Sequence, residues 1–99
     1  MARVTWSERS IQNMEEIAEY IAQDSVRNAV QTTAKIYQTA ERLELFPESG
    51  RTVPELRATS LREIIVGNYR IVYAWKRDKC VILTVLHSRR NLRKTISKK

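Results

Sequence analysis

The hydrophobic periodicity of the chain predicts an α+β domain of two layers. Three observations carry this. Residues 8–45 hold two consecutive stretches with apolar side chains at three- and four-residue spacing. Residues 61–87 hold three runs rich in branched and aromatic side chains. The turns between those runs are only two or three residues long, which favours antiparallel neighbours.

The elements follow in order. Ala2 to Trp6 alternates, with Val4 and Trp6 on one face, and reads as a short first strand. Ser7 is a good N-cap, and Glu8 behind it suits the positive end of a helix dipole. Ile11, Met14, Ile17, Ala18 and Ile21 then predict an amphipathic helix over about Glu8–Gln23, with Glu15, Glu16 and Glu19 on its wet side. Asp24 and Ser25 close it and offer caps for the next helix. That second helix is predicted from Val26 to Leu45, ending where Pro47 disfavours helical geometry at Phe46. A connection of two or three residues makes the pair a helical hairpin. Pro47 to Ser60 reads as one long irregular segment. Leu61–Val66, Tyr69–Lys76 and Cys80–His87 read as a three-stranded meander. Gly67-Asn68 supplies its first turn, where positive φ is needed, and Arg77-Asp78-Lys79 its second. Tyr69, Ile71, Tyr73 and Trp75 share one face of the middle strand, where packing against the helices is expected ahead of base stacking. Arg70, Val72, Ala74 and Lys76 take the other face. Arg70 among apolar neighbours is therefore expected to be partly buried and to need a partner.

Ninety-nine residues support one core and leave no room for a separate cofactor domain. Residues 1–99 read as a single domain with a basic tail from about residue 89. The charge is uneven. Lys and Arg number 18 against 11 Asp and Glu, a net charge of +7. Residues 1–50 carry net −3 and residues 51–99 net +10. A cationic half on so small a domain points to a polyanion or an acidic protein as partner. One cysteine, Cys80, rules out an internal disulfide and a multi-cysteine zinc site. It opens an apolar strand and reads as core. There is no phosphate-binding glycine loop, no metal-ligand cluster and no stretch long enough to span a membrane. No cofactor or metal is expected. The first six residues lack the apolar run of a signal peptide, so a cytoplasmic protein is expected.

Several segments, in order and spacing, match a known family. They are Trp6-Ser7 opening the first helix, Phe46-Pro47-Glu48-Ser49-Gly50-Arg51 after the second, Leu61 through Tyr73, and Val85-Leu86-His87-Ser88-Arg89-Arg90. On these the chain resembles the RelE/ParE superfamily of bacterial toxins along nearly its whole length. The resemblance implies the toxin of a type II toxin–antitoxin system, neutralised by direct binding of a cognate antitoxin in a heteromeric complex. It also implies one of two targets. RelE-like members cleave mRNA on the ribosome, whereas ParE-like members inhibit DNA gyrase without nuclease activity.

Metal-free RNA cleavage needs a base, an acid and cations on the phosphate. Under that reading the resemblance implies Arg70 and Arg89 as catalytic arginines, with His87 and Glu63 as further candidates. His87, the single histidine, could serve as base, but a strand-ending histidine that hydrogen-bonds locally is the plainer reading. Some relatives use a Glu–Arg–His set, for which Glu48, Glu55 and Glu63 are available. Glu63 facing an arginine is more simply a cross-strand ion pair. The RelE pattern also has lysines on the preceding strand, where Leu61-Arg62-Glu63-Ile64 has none. It has a tyrosine near the C-terminus, and Ser88 to Lys99 has none. The expectation is thus a ParE-like gyrase poison acting by binding, with Arg62, Arg70, Arg89, Arg90 and Arg93 as its target- or nucleic-acid-binding set. A ribosome-dependent endoribonuclease and a non-toxic complex-forming relative are the alternatives.

Overall fold

A computed structural model describes residues 1–56 and 60–91. Its element order is β1 (Arg3–Trp6), α1 (Glu8–Ala22), α2 (Val26–Glu41), β2 (Arg51–Thr52), β3 (Leu61–Val66), β4 (Tyr69–Lys76) and β5 (Lys79–His87). The strands form one sheet in the order β1-β5-β4-β3-β2. All neighbours are antiparallel except β1, which runs parallel to β5 with Val4 beside Cys80 and Trp6 beside Ile82. The expected α+β architecture of hairpin and meander is therefore present, in a sheet of five strands.

Both helices start at the serines that the sequence marks. Ser7 Oγ accepts the Ser10 N–H at 3.1 Å, and Ser25 Oγ accepts the Asn28 N–H at 3.0 Å, each satisfying a donor that the first turn leaves free. Ser7 also donates to the Leu83 carbonyl at 2.9 Å, which fastens the start of α1 to β5. The regular part of α2 ends earlier than the expected Leu45. Arg42–Glu44 tightens into a 3-10 turn, a common way to finish a helix. The Glu44 carbonyl, one of those a helix end leaves without an intrahelical partner, accepts the Ala2 N–H at 2.8 Å and ties the helix end to the start of β1.

The hairpin covers one face of the sheet. Met14, Ile36, Ala40 and Leu43 pack there against Val66, Ile71, Tyr73, Cys80, Ile82 and Val85. Tyr69, Ile71, Tyr73 and Trp75 all join this cluster, as their alternation predicts. Burial pushes the Cys80 thiol up from its ordinary pKa, in keeping with a core residue. A bulge in β5 preserves the pattern. Val72 faces Thr84 but Tyr73 faces Ile82, so Leu83 is the extra residue.

The segment expected to be wholly irregular has two ordered pieces. Arg51–Thr52 pairs with Arg62–Glu63 at the sheet edge. Pro54–Leu56 then forms a 3-10 turn that lays Val53 and Leu56 on the other face, against Val72, Leu86 and Leu61. The sheet thus has a second, smaller core, which local periodicity could not reveal because its cover comes from a loop.

Candidate functional site

Three stretches of chain meet where β3 turns into β4 and β5 leaves the sheet. Gly67 takes φ +58° in the turn, as its position requires. The Asn68 carbonyl accepts the Ser88 N–H at 2.7 Å, so the exit of β5 is tied to the hairpin tip.

Arg70 is the centre of this end of the sheet. It lies on the face away from the helices, opposite Leu86 on β5 and Ile65 on β3, and is 5% exposed. Its Nε donates to Glu63 Oε1 at 2.8 Å. Nη1 and Nη2 each reach a Glu55 carboxylate oxygen at 2.9 Å, a two-pronged grip. Nη1 also donates to the Arg90 carbonyl at 3.0 Å. Burial alone would lower the guanidinium's pKa. The hydrogen bond to Glu55 and the charges of Glu63 and Glu55 outweigh it, and the net direction is upward.

The Glu63 side chain is fully buried. Its second oxygen accepts from Arg51 Nε at 2.7 Å, and Arg51 Nη2 lies 2.7 Å from the same atom. Arg51, Glu63, Arg70 and Glu55 therefore alternate in sign along one network. The register explains it: Glu63 sits directly opposite Arg51 on β2 and diagonally from Arg70 across β4. The partner that a buried Arg70 demands is thus supplied twice, and one supplier, Glu55, comes from the loop.

His87 ends β5 half-buried, with its ring edge-on to Tyr69 at 5.7 Å. Its Nδ1 accepts the Arg89 N–H at 3.2 Å, so the neutral ring carries its proton on Nε2. Arg89 and Arg90 follow, both exposed. Arg90 borders a shallow cleft of about 190 Å³ between α1 and the end of β5, together with Asn13, Tyr20, Tyr69 and His87. Asn13 closes part of that edge. Its Oδ1 accepts the Val85 N–H at 3.0 Å and the Thr84 hydroxyl at 2.7 Å.

Arg62 is elsewhere. It lies on the helix face of β3, opposite Tyr73, and donates to the Glu48 and Gly50 carbonyls at 2.9 and 2.8 Å. Its guanidinium carbon sits 5.4 Å from the centroid of the Trp75 ring, an arrangement that suits a cation over an aromatic face. The structure therefore groups His87, Arg89, Arg90 and the buried Arg70, and leaves Arg62 several residues further along the strands. Arg93 lies outside the described residues. Among the described residues no cluster of three or more His, Cys, Asp or Glu could hold a metal ion, and no helix is long and apolar enough to cross a membrane.

Against this geometry, comparison with known proteins is decisive for the family. Residues 4–92 match the family model described as "ParE toxin of type II toxin-antitoxin system, parDE". The chain belongs to the ParE toxin family. It is also 34% identical over 88 residues to "Putative toxin Y4kP" of Sinorhizobium fredii (strain NBRC 101917 / NGR234), covering 87% of this chain and 88% of that one. A solved structure titled "Chromosomal ParDE TA system from P. aeruginosa" superposes with a TM-score of 0.71 at 16% identity. It covers 88% of this chain and 96% of its own, and shows that the fold is shared.

Within this ParE-type toxin, one motif has a structural role that the sequence alone did not disclose. Phe46-Pro47-Glu48-Ser49-Gly50-Arg51 seats the hydroxyl of Tyr73. That hydroxyl donates to the Pro47 carbonyl at 2.7 Å and accepts the Gly50 N–H at 2.9 Å. A Cβ on Gly50 would stand 2.6 Å from the Tyr73 oxygen and 2.8 Å from the Glu63 carbonyl, so the close approach admits only glycine. Arg51, absent from the expected site, is the fourth member of the charge network. No local signal marks it, because only the register that sets Arg51 opposite Glu63 brings the two together.

Proposed function

We propose that this ParE-family toxin inhibits growth by poisoning DNA gyrase, and that a cognate antitoxin neutralises it by direct binding. The observation that carries the reading is the state of Arg70. Four hydrogen bonds to Glu55, Glu63 and the Arg90 carbonyl occupy its guanidinium, and its side chain is 6% exposed. A catalytic arginine has to meet a phosphate in the transition state. Arg70 would have to leave two carboxylates to do so. His87 adds to the argument, because its Nδ1 is engaged by the Arg89 backbone and Nε2 holds the proton. Neither nitrogen of the neutral ring is free to accept one from a ribose hydroxyl. This engagement of Arg70 and His87 favours action by binding, and the exposed Arg89 and Arg90, continuing into a basic segment, offer cations to a protein–DNA complex.

The test is a supercoiling reaction with purified toxin, gyrase, ATP and relaxed plasmid. Loss of supercoiled product with accumulation of cleaved plasmid is expected, and relief of both by added antitoxin. Unchanged supercoiling at molar excess of toxin overturns the proposal. Truncated mRNA in a translating extract would assign the ribosome instead.

A further inference from the structure

The cleft between α1 and the end of β5 gathers side chains that gyrase poisoning leaves without a role. Asn13, Glu16, Ile17 and Tyr20 line one wall. They fall three or four residues apart, so a single face of α1 supplies them. Tyr69, Val85, His87 and Arg90 line the other wall. Ile17 and Val85 belong to the main core and give the cleft an apolar back.

The polar groups at its mouth are unspent. Among the described residues, the side chains of Glu16, Tyr20 and Arg90 make no hydrogen bond, ion pair or ring contact. Tyr20 is 71% exposed, an unpacked aromatic ring on a helix whose other apolar side chains turn inward or sit at its start. Asn13 is held by two donors. Its Oδ1 accepts from the Val85 N–H and the Thr84 hydroxyl, which leaves its amide NH₂ as the group available to a ligand. His87 Nδ1 is occupied by the Arg89 N–H, so Nε2–H is a second available donor. The cleft, at about 190 Å³, is smaller than sites for drug-sized ligands, which begin at roughly 300 Å³. It suits one flat ring system rather than a helix or strand of a partner.

We propose that this cleft binds the unpaired guanine base of a nucleotide. Tyr20 stacks on the ring, as aromatic side chains do on unpaired bases. The Glu16 carboxylate accepts from the two adjacent N–H groups of the Watson–Crick edge, and the Asn13 amide donates to the neighbouring carbonyl oxygen. His87 Nε2–H and Arg90 hold the phosphate. The match is to guanine because its edge sets two donors side by side, as the two oxygens of a carboxylate require. Adenine and cytosine place an acceptor nitrogen beside their amino group, which a carboxylate repels. Uracil and thymine offer one N–H between two carbonyls. An acidic peptide is disfavoured by Glu16 itself. In a duplex the guanine edge is already paired, so the base has to come from a free nucleotide or an unstacked single strand. The proposal goes beyond the gyrase reading and does not depend on it.

The experiment is calorimetric titration of the full chain with 5′-GMP, 5′-AMP, 5′-CMP and 5′-UMP. GMP should bind at least about tenfold more tightly than the others, the discrimination that one good two-pronged base contact provides. Glu16 and Tyr20 are both exposed, so their variants should fold, and the melting temperature checks this. Glu16→Gln should weaken GMP about tenfold and remove the preference. Tyr20→Ala should weaken it by a similar factor without creating a preference for another base. Oligothymidylate carrying one guanine separates the two sources. Tighter binding of that strand than of GMP assigns a single strand, and equal or weaker binding assigns the free nucleotide. Equal affinity for the four mononucleotides, no binding at millimolar concentration, or GMP affinity that either folded variant leaves unchanged overturns the proposal.

Discussion

Replacing Arg70 with methionine tests the charge network most directly. The substitution roughly keeps the volume of the side chain and removes the charge. Glu63, fully buried, then loses one of its two arginines, and Glu55, with its side chain 19% exposed, loses its two-pronged grip. Removing one partner of a buried ion pair costs about 3–5 kcal/mol, because the remaining charge stays desolvated. Glu63 keeps Arg51, so the lower end applies, about 3 kcal/mol. A domain of this size loses about 4–8 °C of melting temperature per kcal/mol, and the expected drop exceeds about 10 °C. Arg51→Ala is the control. Its side chain is 63% exposed, solvent screens its share of the pair, and a cost below about 1 kcal/mol is expected. Calorimetry of the three proteins at neutral pH and low salt gives the comparison. An Arg70→Met variant that melts with the parent would refute the network as a support of the fold. If that variant also lost gyrase inhibition, Arg70 would have to act on the target itself.

Two glycine substitutions should separate crowding from backbone strain. Gly50→Ala drives a methyl into the Tyr73 ring and should cost roughly 1–3 kcal/mol. Gly67→Val meets nothing within 4 Å but must hold φ +58°, at a cost of about 1–2 kcal/mol; Gly67→Asn should recover most of that loss, whereas equal melting of the valine and asparagine variants would contradict the strain argument. Burial, with Tyr20 nearby, raises the Tyr69 pKa above the ordinary 10.0. Burial also raises Tyr73, with the Gly50 N–H and Arg62 partly opposing it. Folding therefore keeps both phenols protonated past the pH at which the unfolded chain ionises them. Stability should be intact below 10.0 and fall as pH rises above it. Absorbance at 295 nm should show two of the four tyrosines titrating late, and a single uniform step in the folded protein would count against the burial argument.

Much of the fold was legible because it is written in local periods. The serine caps and the Gly67-Asn68 turn each follow from the conformation of a few adjacent residues, and each stands where the spacing places it; of the α1 stripe, Met14 and Ile17 meet the core, whereas Ile11 at the helix start is 49% exposed. The alternation of Tyr69, Ile71, Tyr73 and Trp75 correctly gave the side of β4 that packs against the helices. The end of α2 was less legible. Pro47 limits how far a helix can run, but the 3-10 turn at Arg42–Glu44 has no such local marker, and its Glu44 carbonyl meets a donor distant in the chain, the Ala2 N–H. The ordered pieces within residues 47–60 were missed for the same reason. Val53 and Leu56 have no partners of their own period, and only Val72 and Leu86 on the sheet make them core.

The candidate site divides along the same line. From the sequence came the cationic second half, the need of Arg70 for a partner and the family of the chain. These depend on composition and on short ordered motifs. The tertiary structure decided that Arg70 is spent on Glu55 and Glu63, and that Arg62 stacks on Trp75 away from Arg89 and Arg90. Such outcomes depend on strand register and on loop cover. A charge is available to a target or consumed by a neighbour according to contacts 7, 12 or 15 residues apart in the chain, and no local pattern records them.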